Sequence, residues 1–136
     1  MANWLEFVDQ SGPITHLYDV VPDLGRVWLG QLNLFDNPAC SITLTTAEVP
    51  RLRPERWGQF NVVYIELGMT ELKSVSISGW PWERFVEVAI SRQSGGVFLA
   101  ARGPDLSVEI LCGAVCIVRV KGLMCEDEWL SEFHKN

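Results

Sequence analysis

Residues 74–90, SVSISGWPWERFVEVAI, decide how the chain is read. Two strand-like runs, 74–78 and 84–90, with β-branched residues at every second position (Val75, Ile77; Val86, Val88, Ile90), meet at Gly79-Trp80-Pro81-Trp82. Alternation with a period of two is the mark of a β-strand with one buried and one wet face. Val75 and Ile77 then point the same way as Val86, Val88 and Ile90, and Ser74, Ser76 and Glu87 point to solvent. The break between them combines turn residues with two large rings. Pro81 fixes the backbone and removes a ladder donor, so a strand end or loop falls there.

The same texture extends outward in both directions. RVWLGQLNLF (26–35), CSITLTT (40–46), NVVYIELG (61–68) and ELKSVSIS (71–78) precede the break, and RFVEVAIS (84–91), GVFLAAR (96–102), LSVEILC (106–112) and VCIVRVKG (115–122) follow it. Trp28, Gly30, Leu32 and Leu34 are expected on one face of their strand, and Leu106, Val108, Ile110 and Cys112 are expected to point to the same side as Val75, Ile77, Val86, Val88 and Ile90. The short separators exclude parallel crossovers, which need a dozen or more residues. The expected fold is therefore mainly β: a single antiparallel meander of about eight strands, curved or sandwich-like. EVPRLRPERWGQ (48–59), with its two prolines, cannot run through a sheet and is expected as a long loop.

The ends read differently. Trp4, Leu5, Phe7 and Val8, then Ile14, Leu17 and Tyr18, suggest short helical turns broken at 11–13, and EDEWLSEF (126–133) reads as a helix with acids in its first turn. One domain over 1–136 follows, with a helical lead-in (1–20), a sheet (26–122) and a helical tail (123–136).

Net charge is −6, and residues 1–50 hold six acids (Glu6, Asp9, Asp19, Asp23, Asp36 and Glu48) against Arg26 alone. Such a surface disfavours nucleic acid and anionic membranes and draws basic partners. No signal peptide and no span-length apolar run is legible, so a cytoplasmic protein is expected. The four cysteines, Cys40, Cys112, Cys116 and Cys125, are then expected as reduced thiols. Cys112 and Cys116 lack a matching second pair, which argues for buried thiols and against zinc.

Chemistry is hard to find. His16 lies among apolar residues and His134 near the end, there is no nucleophile elbow or phosphate loop, and carboxylate pairs such as Glu66/Glu71 and Glu83/Glu87 show no division of labour. No catalytic residue, metal or cofactor is expected, and a binding role remains.

RWGQFNVVYIELGMTELKSVSISGW (56–80) resembles the central pattern of a bacterial polymorphic-toxin immunity family, immunity protein 50. The matching positions are Trp57, Gly58, Phe60, Asn61, Gly79 and Trp80, and Leu106 to Gly122, including Cys112, resembles the closing strand pair. Pro81, Trp82 and the tail from Leu123 lie outside the pattern. The resemblance implies a mostly β cytoplasmic protein that blocks a cognate toxin by stoichiometric binding. Many such toxins are nucleases with basic surroundings, which the acidic first third would suit.

The residues matching the family pattern, including Trp80, are expected to be structural. Trp82, Asp19, Asp23 and Asp36 are expected at the partner surface. The alternative is a small-ligand or carbohydrate-binding domain whose pocket gathers Trp80, Trp82 and Trp28. A monomer and a weak homodimer both fit, since an unpaired edge strand serves either.

Overall fold

The computed structural model describes residues 4–9, 12–15, 18, 22–48, 50 and 57–124. A 3-10 turn (Trp4–Phe7) leads into β1 (Val8–Asp9), and one helical turn (Gly12–Thr15) follows. Then come β2 (Val27–Phe35), β3 (Ala39–Thr46), β4 (Val62–Thr70), β5 (Ser74–Ser78), β6 (Phe85–Gln93), β7 (Gly96–Gly103), β8 (Leu106–Cys112) and β9 (Ala114–Leu123). They form one open sheet in the order β1-β9-β4-β3-β2-β6-β7-β8-β5. The β1–β9 pair is parallel, and all the others are antiparallel.

The mainly β expectation holds, but the single meander of eight strands does not. The described residues hold nine strands, including the two-residue β1, and the sheet is mixed. Two three-strand meanders, β2-β3-β4 and β6-β7-β8, are present, but β5 pairs with β8 and β9 pairs with β4. The cause is a bend in one long ribbon. The β4–β9 ladder ends at Thr70↔Ala114 and the β5–β8 ladder begins at Ser74↔Leu111. Between them the Gly113 N–H donates to the Thr70 and Glu71 carbonyls (3.0 Å each), and the Lys73 N–H donates to the Leu111 carbonyl (2.8 Å). Residues 62–78 and 106–123 are thus a continuous two-stranded ribbon turned at a corner. Glu71 makes the turn at φ 52°, a left-handed conformation that costs a non-glycine residue about 1–2 kcal/mol. Opposite it stands Gly113, where any Cβ would run into the Glu71 side chain.

That corner forces the sheet to roll. Five strands lie between β9 and β8 in the order, yet Gly113 alone joins them in sequence. In a flat sheet they would be about 29 Å apart, at about 4.8 Å per strand. The rolled sheet encloses one apolar core. Ile42, Leu44, Ile65 and Leu67 come from one half and Leu99, Val108 and Ile110 from the other, each at most 1 % exposed. Each such side chain contributes about 1.5–3 kcal/mol by leaving water.

Along β6 and β8 the expected faces hold: Val86, Val88, Ile90, Leu106, Val108, Ile110 and Cys112 are all buried. Along β2 they do not. A register shift between Leu29 and Gln31 places a bulge at Gly30. The Thr43 hydroxyl fills the space a Gly30 side chain would need and accepts the Gln31 N–H at 2.8 Å. As a result Leu29, Leu32 and Leu34 pair with Leu44, Ile42 and Cys40, whereas Trp28 pairs with Thr45 on the opposite face. The expectation that Trp28 shares a face with Leu32 and Leu34 is corrected by this one extra residue.

At the start of the chain, the Trp4 indole N–H donates to the Pro22 carbonyl (2.9 Å) and the Tyr18 hydroxyl to the Glu48 carbonyl (2.6 Å). Burial, then the Glu48 carboxylate, pushes the Tyr18 phenol well above its ordinary pKa. The helical lead-in is only partly so, since Val8–Asp9 joins the sheet edge beside β9. His16, Leu17, Asp19, the arginines at 51–56 and the tail helix expected at 126–133, with Cys125 and His134, lie outside the described residues.

Candidate partner-binding surface

Because the bulge turns Trp28 outward, it meets the residues leading into β6. Trp28 and Phe85 are paired across the β2–β6 ladder and stack edge to face, with centroids 5.2 Å apart and planes at 80°. The Arg26 guanidinium lies 4.7 Å from the Phe85 centroid. The Arg84 guanidinium lies 5.2 Å from Trp28 and 4.9 Å from Trp80, filling the space between the two indoles. A connected series of cations and rings, Arg26, Phe85, Trp28, Arg84 and Trp80, therefore runs across this end of the sheet.

Arg84 also fastens the loop 79–84 to the bulged part of β2. Its Nε donates to the Leu29 carbonyl (2.8 Å) and its Nη1 to the carbonyls of Pro81 (2.9 Å) and Trp82 (3.4 Å), with Nη2 3.5 Å from the Gly30 carbonyl. The Leu29 N–H returns a bond to the Arg84 carbonyl at 2.9 Å. Past this point β6 leaves β2, whose bulged carbonyls would otherwise lack partners. Burial of the guanidinium lowers its pKa from the ordinary value, though arginine stays charged throughout the working pH range. Gly79 begins the loop at φ 82°, where the Asp105 carbonyl occupies the position of a side chain.

The two tryptophans have separate fates. Trp80 is 46 % exposed, with one ring face against Arg84. Trp82 is 94 % exposed although its own carbonyl is tied back to Arg84. Beside this loop opens a cleft of about 540 Å³ lined in part by Arg26, Phe85, Arg102, Glu83, Glu87 and Asp105, with the three acids facing solvent. Arg102 stands 3.7 Å from Glu109, an exposed ion pair.

Of the acids named from sequence, Asp23 lies near the cleft, two residues before its lining residue Gly25. Its Oδ1 accepts the Gly25 N–H at 2.8 Å and its own N–H donates to Glu48 at 3.1 Å, so it shapes the entry to β2 as well as carrying charge. Asp36 lies in the turn at the far end of β2, roughly 26 Å along the strand at about 3.3 Å per residue. The structure does not bring Asp36 and Trp82 together, and Asp19 is outside the described residues. What sequence reading missed is Arg84, whose signal was its position between Pro81-Trp82 and a strand start.

The other family-like positions form a clip where β4 starts and β9 ends, level with the start of β2 but on the far side of β3. Trp57 and Phe60 stack edge to face at 5.1 Å over Gly122, and the Asn61 N–H donates to the Leu123 carbonyl at 3.1 Å. A Cβ on Gly122 would lie 2.6 Å from the Phe60 ring and 2.7 Å from Trp57. Gly58 takes φ 63°, which lets the chain double back between the two rings.

Cys112 is buried and its thiol points at the Val97 carbonyl, 3.6 Å away. Burial pushes the Cys112 thiol up to about 11, and burial with the neighbouring Cys112 does the same to Cys40. Cys116 is half-buried on the next strand. Among the described residues no group of three or more His, Cys, Asp or Glu is placed to hold a metal ion, and no helix is long and apolar enough to cross a membrane.

A rolled β scaffold that carries rings and charges on a braced surface loop has the anatomy of a binding protein, and the family match gives the class as an immunity protein. The model of the family Immunity protein 50 matches residues 11–123, and the chain belongs to that family. No curated protein sequence and no solved structure matches it.

Proposed function

We propose that the protein binds a cognate bacterial toxin domain in the cytoplasm and neutralises it by forming a stoichiometric complex, without turnover or cofactor. The observation that carries the site is Trp82, an almost fully exposed indole whose backbone is held by Pro81 and Arg84. A rigid aromatic side chain loses little entropy when it enters a partner's pocket, which favours tryptophan and tyrosine as binding hot spots. Asp23, Glu48, Glu83, Glu87 and Asp105 give this end an acidic rim. Such a rim favours a basic partner, and a nuclease, whose active site must attract phosphate, is the kind of toxin that fits. The clip of Trp57, Gly58, Phe60 and Asn61, with Gly79, has structural work in this reading, and Trp80 serves as the far wall of the Arg84 sandwich.

The carbohydrate-binding alternative needs Trp28, Trp80 and Trp82 to line one pocket. Trp28 is 8 % exposed and Arg84 occupies the gap between it and Trp80, which favours the protein-binding reading. The test is coexpression with the C-terminal domain of the toxin encoded beside this chain. Rescue of growth together with an equimolar purified complex is expected. The absence of both rescue and complex would end the proposal.

A further inference from the structure

We infer that β5 is a self-complementary edge through which two copies of this chain pair about a two-fold axis at Ser76. Strand β5 ends the sheet order, and among the described residues it pairs only with β8. Its hydrogen-bonding directions follow from the turn beside it. Gly103 and Leu106 close a two-residue hairpin, so they are a hydrogen-bonded pair, and Leu106, Val108 and Ile110 direct their backbone groups toward β7. The backbone groups of Ser107, Glu109 and Leu111 then face β5, where they meet Ser78, Ser76 and Ser74. This leaves the N–H and C=O of Val75 and Ile77 directed at the open edge.

The sequence of that edge reads nearly the same in both directions, Ser-Val-Ser-Ile-Ser. An antiparallel pairing centred on Ser76 sets Ser74 opposite Ser78, Ser76 opposite itself, and Val75 opposite Ile77 on both sides of the axis. The four outward backbone groups of each copy are thereby satisfied by the other. The side chains agree: Val75 and Ile77 lie in register with the core residues Ile110 and Val108, yet Ile77 is 47 % exposed at the mouth of the core. The mirrored Val–Ile pairs would close that mouth. Self-complementarity of this kind is what an isologous interface requires.

Charge and protection point the same way. Soluble proteins blunt open edges with lysine, proline, bulges or inward charges. In a chain of net charge −6, β5 has no charged residue and no proline, so two copies meet without like-charge repulsion along the ladder. Lys73, at the head of the strand, directs its ammonium to the Gly95 carbonyl of the neighbouring turn. The area sets the strength: a five-residue ladder buries much less than the roughly 1,200–2,000 Å² of a stable interface, so the dimer is weak and reversible.

Sedimentation velocity on the full chain from micromolar to millimolar concentration tests this, with two variants at the exposed Ser76. In a non-hydrogen-bonded antiparallel pair the facing Cα atoms are only about 4.5 Å apart. Ser76→Lys therefore sets two ammonium groups face to face and should weaken dimerisation at least tenfold, with far-UV circular dichroism and urea midpoint unchanged. Ser76→Cys should give a disulfide-linked dimer under mild oxidation, whereas Ser74→Cys, whose counterpart is Ser78, and the wild type should not. A chain that stays monomeric over the whole range overturns the proposal. So does a dimer that Ser76→Lys leaves intact or that Ser74→Cys cross-links as readily as Ser76→Cys.

Discussion

Replacing Arg84 with alanine is the perturbation whose consequence the structure specifies most fully. The side chain makes two good hydrogen bonds, at 2.8 and 2.9 Å, to the carbonyls of Leu29 and Pro81, plus a weaker one to Trp82. A hydrogen bond to a charged donor is worth about 1.5–3 kcal/mol, but this group is only half-buried and water can reach the carbonyls left behind, so about 1 kcal/mol each is appropriate. The two indole contacts add about 0.5 kcal/mol each at this exposure. The sum is roughly 3 kcal/mol, which for a chain of this size lowers the melting temperature by about 6–12 °C. Urea unfolding with an unchanged slope should show the lost stability, and tryptophan fluorescence should red-shift as Trp28 becomes hydrated. Arg84→Lys should recover less than half, because one ammonium cannot reach carbonyls on both the loop and the bulge while filling the gap between two rings. An alanine variant within about 0.5 kcal/mol of wild type, with unaltered fluorescence, would refute the reasoning.

Three further outcomes follow from other parts of the molecule. Gly122→Ala should cost about 1–3 kcal/mol by forcing Trp57 and Phe60 apart, read as a lower urea midpoint. The Cys40 and Cys112 thiols have folded pKa values near 11, raised above the ordinary 9.0, so their contribution is complete below about pH 9 and is lost as pH climbs toward 11. Urea midpoints across that window should fall less steeply in a Cys40→Ala/Cys112→Ala variant than in wild type. Charge reversal at Glu83 or Glu87 should slow association with the toxin domain in a salt-dependent way, and Asp36→Lys, at the far end of β2, should have much less effect in the same stopped-flow assay.

The strands were legible as short apolar runs between turn residues, some with a clear alternation, as Val86, Val88 and Ile90 show against Glu87. Their order was not, because the pairing of β5 with β8 depends on a bend at Glu71, a residue whose type gives no sign of a left-handed conformation. The bulge at Gly30 had the same effect on the site. Trp28 looked like a member of the Leu32 and Leu34 face until one inserted residue moved it to the other side. Pro81 separates Trp80 from Trp82 in sequence, and the two differ in exposure, 46 % against 94 %. That Arg84 grips both the loop and the bulge could not be read, since its partners at Leu29 and Gly30 lie more than fifty residues away in sequence.

The most direct test is the Trp82→Ala variant paired with the proposed cognate toxin domain. The indole is almost fully exposed, so stability should stay within about 0.5 kcal/mol of wild type. Dissociation of the complex should speed up at least about tenfold, with protection in coexpression reduced accordingly. Unchanged dissociation and full protection in a correctly folded Trp82→Ala protein would contradict the placement of the toxin on this loop.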